Sequence, residues 1–327
     1  MKEYLENVRC VAPLIHNITN YVTANDVANV LLACGASPIM ADEEAEVEEI
    51  TAHCMGLNLN LGTLNQKENP CNAKKRGKWQ ITWTCCGVRP GWSRCKQFVK
   101  QTAEQLLKEV RFDAIRGNIS EIKTLASLCG TQEKNSGNMA VSDTMDVEKI
   151  TDKSDHCGKI TGIDGSGRGV DADNADTVTE ENLAQHISNA KMLSKKLQTI
   201  VAITGAIDLV TDGSSCYVIR NGNPQMGHVT GAGCQLSGIL TAFLAANPEN
   251  KLQAAAAAVC MMGYAGELAA EKSGQSGSGT YRVSLMDAVS CMDGDILERG
   301  ARYEIDRKQL LLYGVTDRSW LNGQTLY

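Results

Sequence analysis

The sequence predicts an α/β chain built on a central, mostly parallel sheet covered by helices. Three observations lead there. Apolar runs of strand length end repeatedly in Asn, Gly or Ser; the segments between them carry apolar residues at helical spacing; and one such run turns through glycines into a long apolar helix. Residues 10–62 supply the first units: CVAPLIHNITNYVTANDVANVLLACGASPIMA, an acidic helix, then MGLNLNLG. The alternation recurs at FDAIRGNISEI, at TIVAITGAIDLV and at CYVIRNG. Val229–Gly233 then leads into CQLSGILTAFLAA, where Leu236, Ile239, Leu240 and Phe243 fall on one helical face, and KLQAAAAAVCMMGYAGELAAEK follows as a second helix. In such an architecture ligands bind beyond the carboxyl ends of the strands.

Composition narrows the function. At 327 residues and 43% hydrophobic the chain can bury a stable core as one large domain or two modest ones. Its net charge of −6, with no long basic block, excludes a nucleic-acid footprint and points to a small-molecule partner. MKEYLENVRC lacks the apolar core of a secretory signal, and the longest apolar run, around Ala254 to Gly266, falls short of the ~20 residues of a membrane span. A cytoplasmic protein is expected. The thirteen cysteines are odd in number and mostly in apolar surroundings, as reduced, buried thiols are. Residues 131–169, polar and rich in Gly, Ser and Asp, read as an inserted loop or solvated spacer.

The chemistry concentrates in VTGAGC. Gly231 and Gly233 allow positive φ or close backbone approach to a ligand, and the helix that follows aims its unpaired N–H groups and positive dipole end at the same place. That is an anion hole, although short glycine motifs also make ordinary tight turns. Cys234 lies in the first turn, and no ligand spacing around it suggests a metal.

With PLIHNITNYVTANDVANVLLACGASPIMA, LNLGTL, LLKEVRFDAIRGNISEI, GVDA, VAITGAIDLV, VTGAGC and GSGTY occurring in that order, the chain resembles the hydroxyethylthiazole kinases over residues 8–70 and 98 to about 300. The resemblance implies a three-layer α/β/α ribokinase-like fold, ATP-dependent phosphorylation of a thiazole alcohol toward thiamine, Mg2+ as cofactor, and a homotrimer with active sites at subunit boundaries. It implies a kinase-like domain over 1–300 and a tail over 301–327. Residue by residue, Cys234 matches the position where related sugar kinases carry an aspartate base. Met40 and Gly231 match substrate-contacting positions, Arg116 and Thr204 nucleotide-contacting ones, and Glu121 an acid near the metal. Asn20 and Asn25 could line the thiazole site, or cap a helix or satisfy a turn. Cysteine at 234, with PLIHNITN and SPIMA, argues against a repair dehydratase of the same fold.

The departure from the family lies between LNLGTLNQ and VKQTAEQLLKEV, where a helix, a buried strand and then Asp-Pro-Val-Gly-Ala-Gly-Ala are expected. Cys71–Gln97 instead carries three of the four tryptophans, four cysteines and seven basic residues, with no acid. Its cysteine spacing does not match paired zinc ligands. Back-translating Val88–Cys95 as GTT CGA CCC GGT TGG AGC AGG TGC, followed by the A of Lys96, and reading one base later gives Phe-Asp-Pro-Val-Gly-Ala-Gly-Ala. The segment is therefore expected to be frameshifted, a point that sequencing the gene decides. As written it puts tryptophans and positive charge where a buried strand should cross, so it should fold less well, bind Mg-ATP weakly or project into solvent. A second reading of the chain is accordingly a noncatalytic remnant that binds thiazole or nucleotide. The ending RKQLLLYGVTDRSWLNGQTLY resembles the opening strand of thiamine-phosphate synthase but is far too short for a barrel of ~250 residues.

Overall fold

The computed structural model describes residues 1–61, 80–84, 95–129 and 177–307, with 80–84 and 95–100 described by backbone alone. The polar stretch 131–169, most of Cys71–Gln97 and the LYGVTDR ending lie outside the described residues.

Six strands form the parallel part of the sheet: β1 (Leu14–Ile18), β2 (Ser37–Ile39), β3 (Gly56–Asn60), β4 (Gln80–Thr84), β5 (Ala114–Asn118) and β6 (Ile200–Thr204). Three more, β7 (Asp208–Thr211), β8 (Cys216–Ile219) and β9 (Tyr303–Asp306), continue it antiparallel. The spatial order among the described residues is β2-β1-β3-β4-β5-β6-β7-β8-β9. Two details refine the sequence reading. IVAITGAIDLV is two strands, because Gly205–Ile207 reverses the chain and pairs Ile203 with Leu209. Tyr303–Asp306, placed in the tail by the sequence, is the sheet's outer strand. Gln80–Thr84, within the segment foreign to the family, runs parallel between β3 and β5, so its backbone crosses the sheet rather than projecting into solvent.

The side-chain period of two divides each strand between two helical layers. Ile200 and Ala202 face one core, Val201 and Ile203 the other; Tyr217 and Ile219 are likewise opposed to Cys216 and Val218. The first layer holds α1 (Lys2–Val11), α2 (Tyr21–Cys34), α7 (Ala232–Ala246), α8 (Lys251–Ser273), α9 (Ser278–Cys291) and α10 (Gly294–Gly300). The second holds α3 (Glu44–His53), α4 (Cys95–Glu109), α5 (Ile119–Leu128) and α6 (Leu183–Leu197). This is a three-layer α/β/α fold. α8 is long and apolar enough to cross a membrane, but 78% of its apolar stretch is buried inside the fold, which accounts for its composition.

The alanines of α8 are buried from Ala254 to Ala258, and α7 is buried from Cys234 to Ala245. Small side chains bring α7 down onto β3: a Cβ at Gly56 would lie 2.8 Å from Thr241 Cγ2. The entrance of α7 is therefore held close over the sheet's carboxyl edge, which fixes the height of everything attached to it.

Candidate active site

Four of the residues singled out by sequence lie along that carboxyl edge in the order of the strands. Met40 follows β2, Asn20 follows β1, Arg116 lies in β5 and Thr204 ends β6. From β2 to β6 is five strand steps, about 24 Å at ~4.8 Å per step. Above the middle of this row sits the entrance of α7.

Gly231 caps α7 at φ 85°, a left-handed conformation that favours glycine, and a Cβ there would lie 2.5 Å from Thr23 Cγ2. The turn is thus pressed onto the start of α2. Asn20 caps α2 by accepting from Thr23 N at 3.0 Å and from the Thr23 hydroxyl at 2.8 Å. Its amide nitrogen is 3.9 Å from Cys234 Sγ. One side chain thus caps α2 and also approaches the sulfur of Cys234. Asn25 is different: it sits on the exposed face of α2 and accepts from the Asn29 amide at 3.0 Å.

Cys234 is buried, and its sulfur accepts a hydrogen bond from Asn60 Nδ2 at 3.0 Å. The second proton of the same amide goes to Thr19 Oγ1, also 3.0 Å away. Asn60 was not singled out by sequence, yet its signal was present. In Leu57-Asn58-Leu59-Asn60-Leu61 the leucines face the α4 and α5 side, and by the same period the asparagines face α7. Asn58 and Asn17 extend this polar row, Asn58 Nδ2 donating to Asn17 Oδ1 at 3.0 Å. Polar side chains at every second position of a fully buried strand require partners, and here the partner is the thiol.

The opposite flank is ionic. Arg116 is buried, its Nη2 donates to Thr204 Oγ1 at 2.6 Å, and its guanidinium lies against the glycine turn. A Cβ on Gly233 would come within 2.6 Å of Arg116 Nη1, so Gly233 is the space the guanidinium occupies. Asp208, missed by sequence because it reads as an ordinary residue at the foot of an apolar run, accepts from Gly205 N at 2.8 Å. Burial pushes its carboxyl up to about 7, against the opposing pull of that N–H and of Arg116. The turn after Thr204 is thereby tied to one buried acid, which also feels the charge of the Arg116 guanidinium.

Glu121 is buried at the start of α5 and makes a reciprocal cap with Asn118: its Oε2 accepts from Asn118 N at 2.8 Å, while Asn118 Oδ1 accepts from Glu121 N at 2.9 Å. This fixes a carboxylate at the carboxyl end of β5. Among the described residues no group of three or more His, Cys, Asp or Glu could enclose a metal by itself. Met40 is half-buried and packs on the core that α7 and α8 share. The geometry therefore joins Asn20, Gly231, Cys234, Arg116 and Thr204 around one helix entrance, with Met40 beyond one end of the row and Glu121 on β5's far side.

Comparisons with known proteins place the chain in a family and a fold. The model of the Hydroxyethylthiazole kinase family matches residues 5–162 and 130–295. The chain is similar to the hydroxyethylthiazole kinase of Clostridium acetobutylicum, 46% identical over 310 residues, 93% of this chain and 99% of the relative. It is also similar to that of Clostridium beijerinckii, 36% identical over 298 residues, covering 90% and 93%. Among solved structures, the hydroxyethylthiazole kinase of Pyrococcus horikoshii OT3 superposes with a TM-score of 0.70 at 25% identity, covering 93% of this chain and 98% of that one. A ribokinase-like superfamily protein of Enterococcus faecalis V583, 12% identical with a TM-score of 0.52 and 88% of each chain covered, shares the fold.

Proposed function

The chain belongs to the hydroxyethylthiazole kinase family, and from that premise we propose how the row of residues beneath α7 carries out the transfer. The enzyme phosphorylates the hydroxyl of 4-methyl-5-(2-hydroxyethyl)thiazole with ATP, a thiamine salvage step. The thiazole lies toward β1 and β2, against Met40 and Asn20, and the nucleotide phosphates lie toward β5 and β6. The transferring phosphoryl sits at the entrance of α7, where the start of the helix and the Arg116 guanidinium come together at Gly233. That convergence carries the assignment.

The alcohol oxygen attacks the terminal phosphorus; a new O–P bond forms while the bond to the β-phosphate oxygen breaks, and ADP leaves with that electron pair. The alcohol proton passes to Cys234 Sγ, which acts as the thiolate and becomes the thiol. The Asn60 N–H and the positive end of α7 both stabilise negative charge on that sulfur. A weak base suffices, because in a loose transition state the attacking oxygen gains little charge early and positioning outweighs base strength. Cys234→Asp therefore retains or raises turnover, and complete loss of activity in a folded variant would reject the base role.

Glu121 is the carboxylate that would hold Mg2+. A single fixed acid suits an ion whose other ligands are phosphate oxygens and water, as magnesium prefers, and the ion would neutralise phosphate charge. In the homotrimer that we propose, Tyr21 and Val22, 73% and 74% exposed beside Asn20, are side chains that a second copy would cover. The free thiols of Cys34, Cys216 and Cys260 suit a reducing, cytoplasmic setting.

The test is ADP release by this chain with hydroxyethylthiazole present and absent. Thiazole-dependent release is expected; binding without turnover would favour the noncatalytic remnant, which the coverage of the relatives does not favour.

A further inference from the structure

His16 lies in the middle of β1 with its side chain wholly buried on the α3 face of the sheet, one residue out of phase with the polar row that meets Cys234. Its two ring nitrogens reach different elements. Nδ1 is 2.8 Å from the Thr51 hydroxyl of α3, and Nε2 is 2.7 Å from the carbonyl oxygen of Ala41. A carbonyl only accepts, so Nε2 carries the proton and donates it to Ala41. The Thr51 hydroxyl has one proton for two acceptors, Val47 O at 2.6 Å and the unprotonated Nδ1 at 2.8 Å, so it serves Nδ1 only in exchange for Val47 O, whereas the Nε2 bond has no competitor on Nε2. Burial lowers the imidazole's proton affinity, in keeping with the neutral ring this pattern needs.

What the Nε2 bond holds is the residue next to Met40. β2 is a three-residue edge strand, and its ladder to β1 ends at the pairing of His16 with Ile39. Immediately beyond it, Ala41 is tied to β1 by His16, and Asp42 is tied to the start of α2 by the Tyr21 hydroxyl at 2.7 Å. The first of these bonds is partly buried, the second exposed.

We propose that His16 is a positioning residue for substrate recognition: its Nε2–H, by fixing Ala41, sets where the Met40 thioether stands at the thiazole end of the row. The inference rests on Met40 belonging to the thiazole pocket. It separates two functions of the β1 segment, since His16 acts on the substrate end while Asn17, one residue on, faces the other helical layer.

Two amide variants test it because they keep different donors. In His16→Gln the amide N–H reaches the level of Nε2 and can still serve Ala41; in His16→Asn it stops at the level of Nδ1 and can serve only Thr51. His16→Asn is expected to raise KM for hydroxyethylthiazole by about threefold to tenfold, the range for one lost neutral hydrogen bond, with KM for ATP and kcat unchanged. His16→Gln is expected to recover most of that loss, and Thr51→Val, which leaves the Ala41 bond in place, to stay within about twofold. Equal KM for the Gln and Asn variants, or a parallel loss of kcat in both, would overturn the proposal. Met40→Ala distinguishes the two levels of the argument. If it raises the thiazole KM while His16→Asn does not, the Met40 reading stands and the His16 inference falls; if it leaves the thiazole KM unchanged, both fall.

Discussion

The two flanks of Cys234 are made of different chemistry on the same sheet. Toward β1 and β3 the polar side chains are neutral: Asn17, Asn58, Asn60 and Asn20 bond to one another, to Thr19 and Thr23, and to the thiol. Toward β5 and β6 they are ionisable: Arg116, Asp208 and Glu121, with Thr204 between. A neutral, buried amide row suits an uncharged heterocycle and its hydroxyl, whereas a buried guanidinium without a glycine Cβ in its way suits phosphate oxygens. The entrance of α7 is where the two meet, and β4 passes beneath it between them.

The division predicts different kinetic signatures on each side. The largest effect is expected on the charged flank: Arg116→Ala should lower kcat/KM for ATP by about 10²- to 10³-fold, the scale for losing one preorganised charge-stabilising donor, with the thiazole KM little changed. A variant that raised only the thiazole KM would break the comparison. Gly233→Ala tests the same flank without removing a charge. Its Cβ would occupy the space of Arg116 Nη1, so the guanidinium must move, and turnover is expected to fall by up to about 10²-fold, as small misplacements do. Unchanged kcat in that variant would show that the guanidinium's place against the turn is unimportant.

On the neutral flank Asn60→Leu removes the donor to Cys234 and leaves Thr19 without that partner. About a tenfold fall in kcat, with KM for ATP unchanged, is expected in steady-state assays. A rise in KM for ATP would place nucleotide on the wrong side of the thiol.

The smallest effect on activity concerns Asp208. Burial lifts its carboxyl from 3.8 to about 7, so the folded chain keeps a proton that the unfolded chain releases. Its contribution to stability is complete below 3.8 and is lost as pH rises toward about 7. Asp208→Asn keeps an acceptor for Gly205 N and should flatten that part of the pH dependence of thermal unfolding; an unchanged slope would place the titration elsewhere.

How much of this was legible depended on whether a residue's signal was local. The β–α alternation and the glycine turn are local patterns, and the fold and the helix entrance followed from them. Cys234 was marked locally by its place in the first turn after the glycines, though its role came from the resemblance, and Arg116 was reached only through the resemblance, since an arginine in a strand carries no local mark of function. The meeting of Arg116 with Gly233 joins residues far apart in sequence, and no periodicity reveals it. Asn60 was legible in principle from the Leu-Asn alternation of β3, but its partner becomes visible only when α7 is packed on that face. Asp208 and the reversal at Gly205–Ile207 were hidden because a tight antiparallel turn inside an apolar run resembles one long strand. Asn25 shares a helix with Asn20 yet points outward, as five residues of helical rotation require.

The most direct measurement is a structure of the chain with a nonhydrolysable ATP analogue and hydroxyethylthiazole. The account predicts the terminal phosphate within about 3 Å of N–H groups at the entrance of α7 and of Arg116, with the thiazole hydroxyl beside Cys234 Sγ. A terminal phosphate bound away from that entrance, or a thiazole lying over β5 and β6, would contradict it.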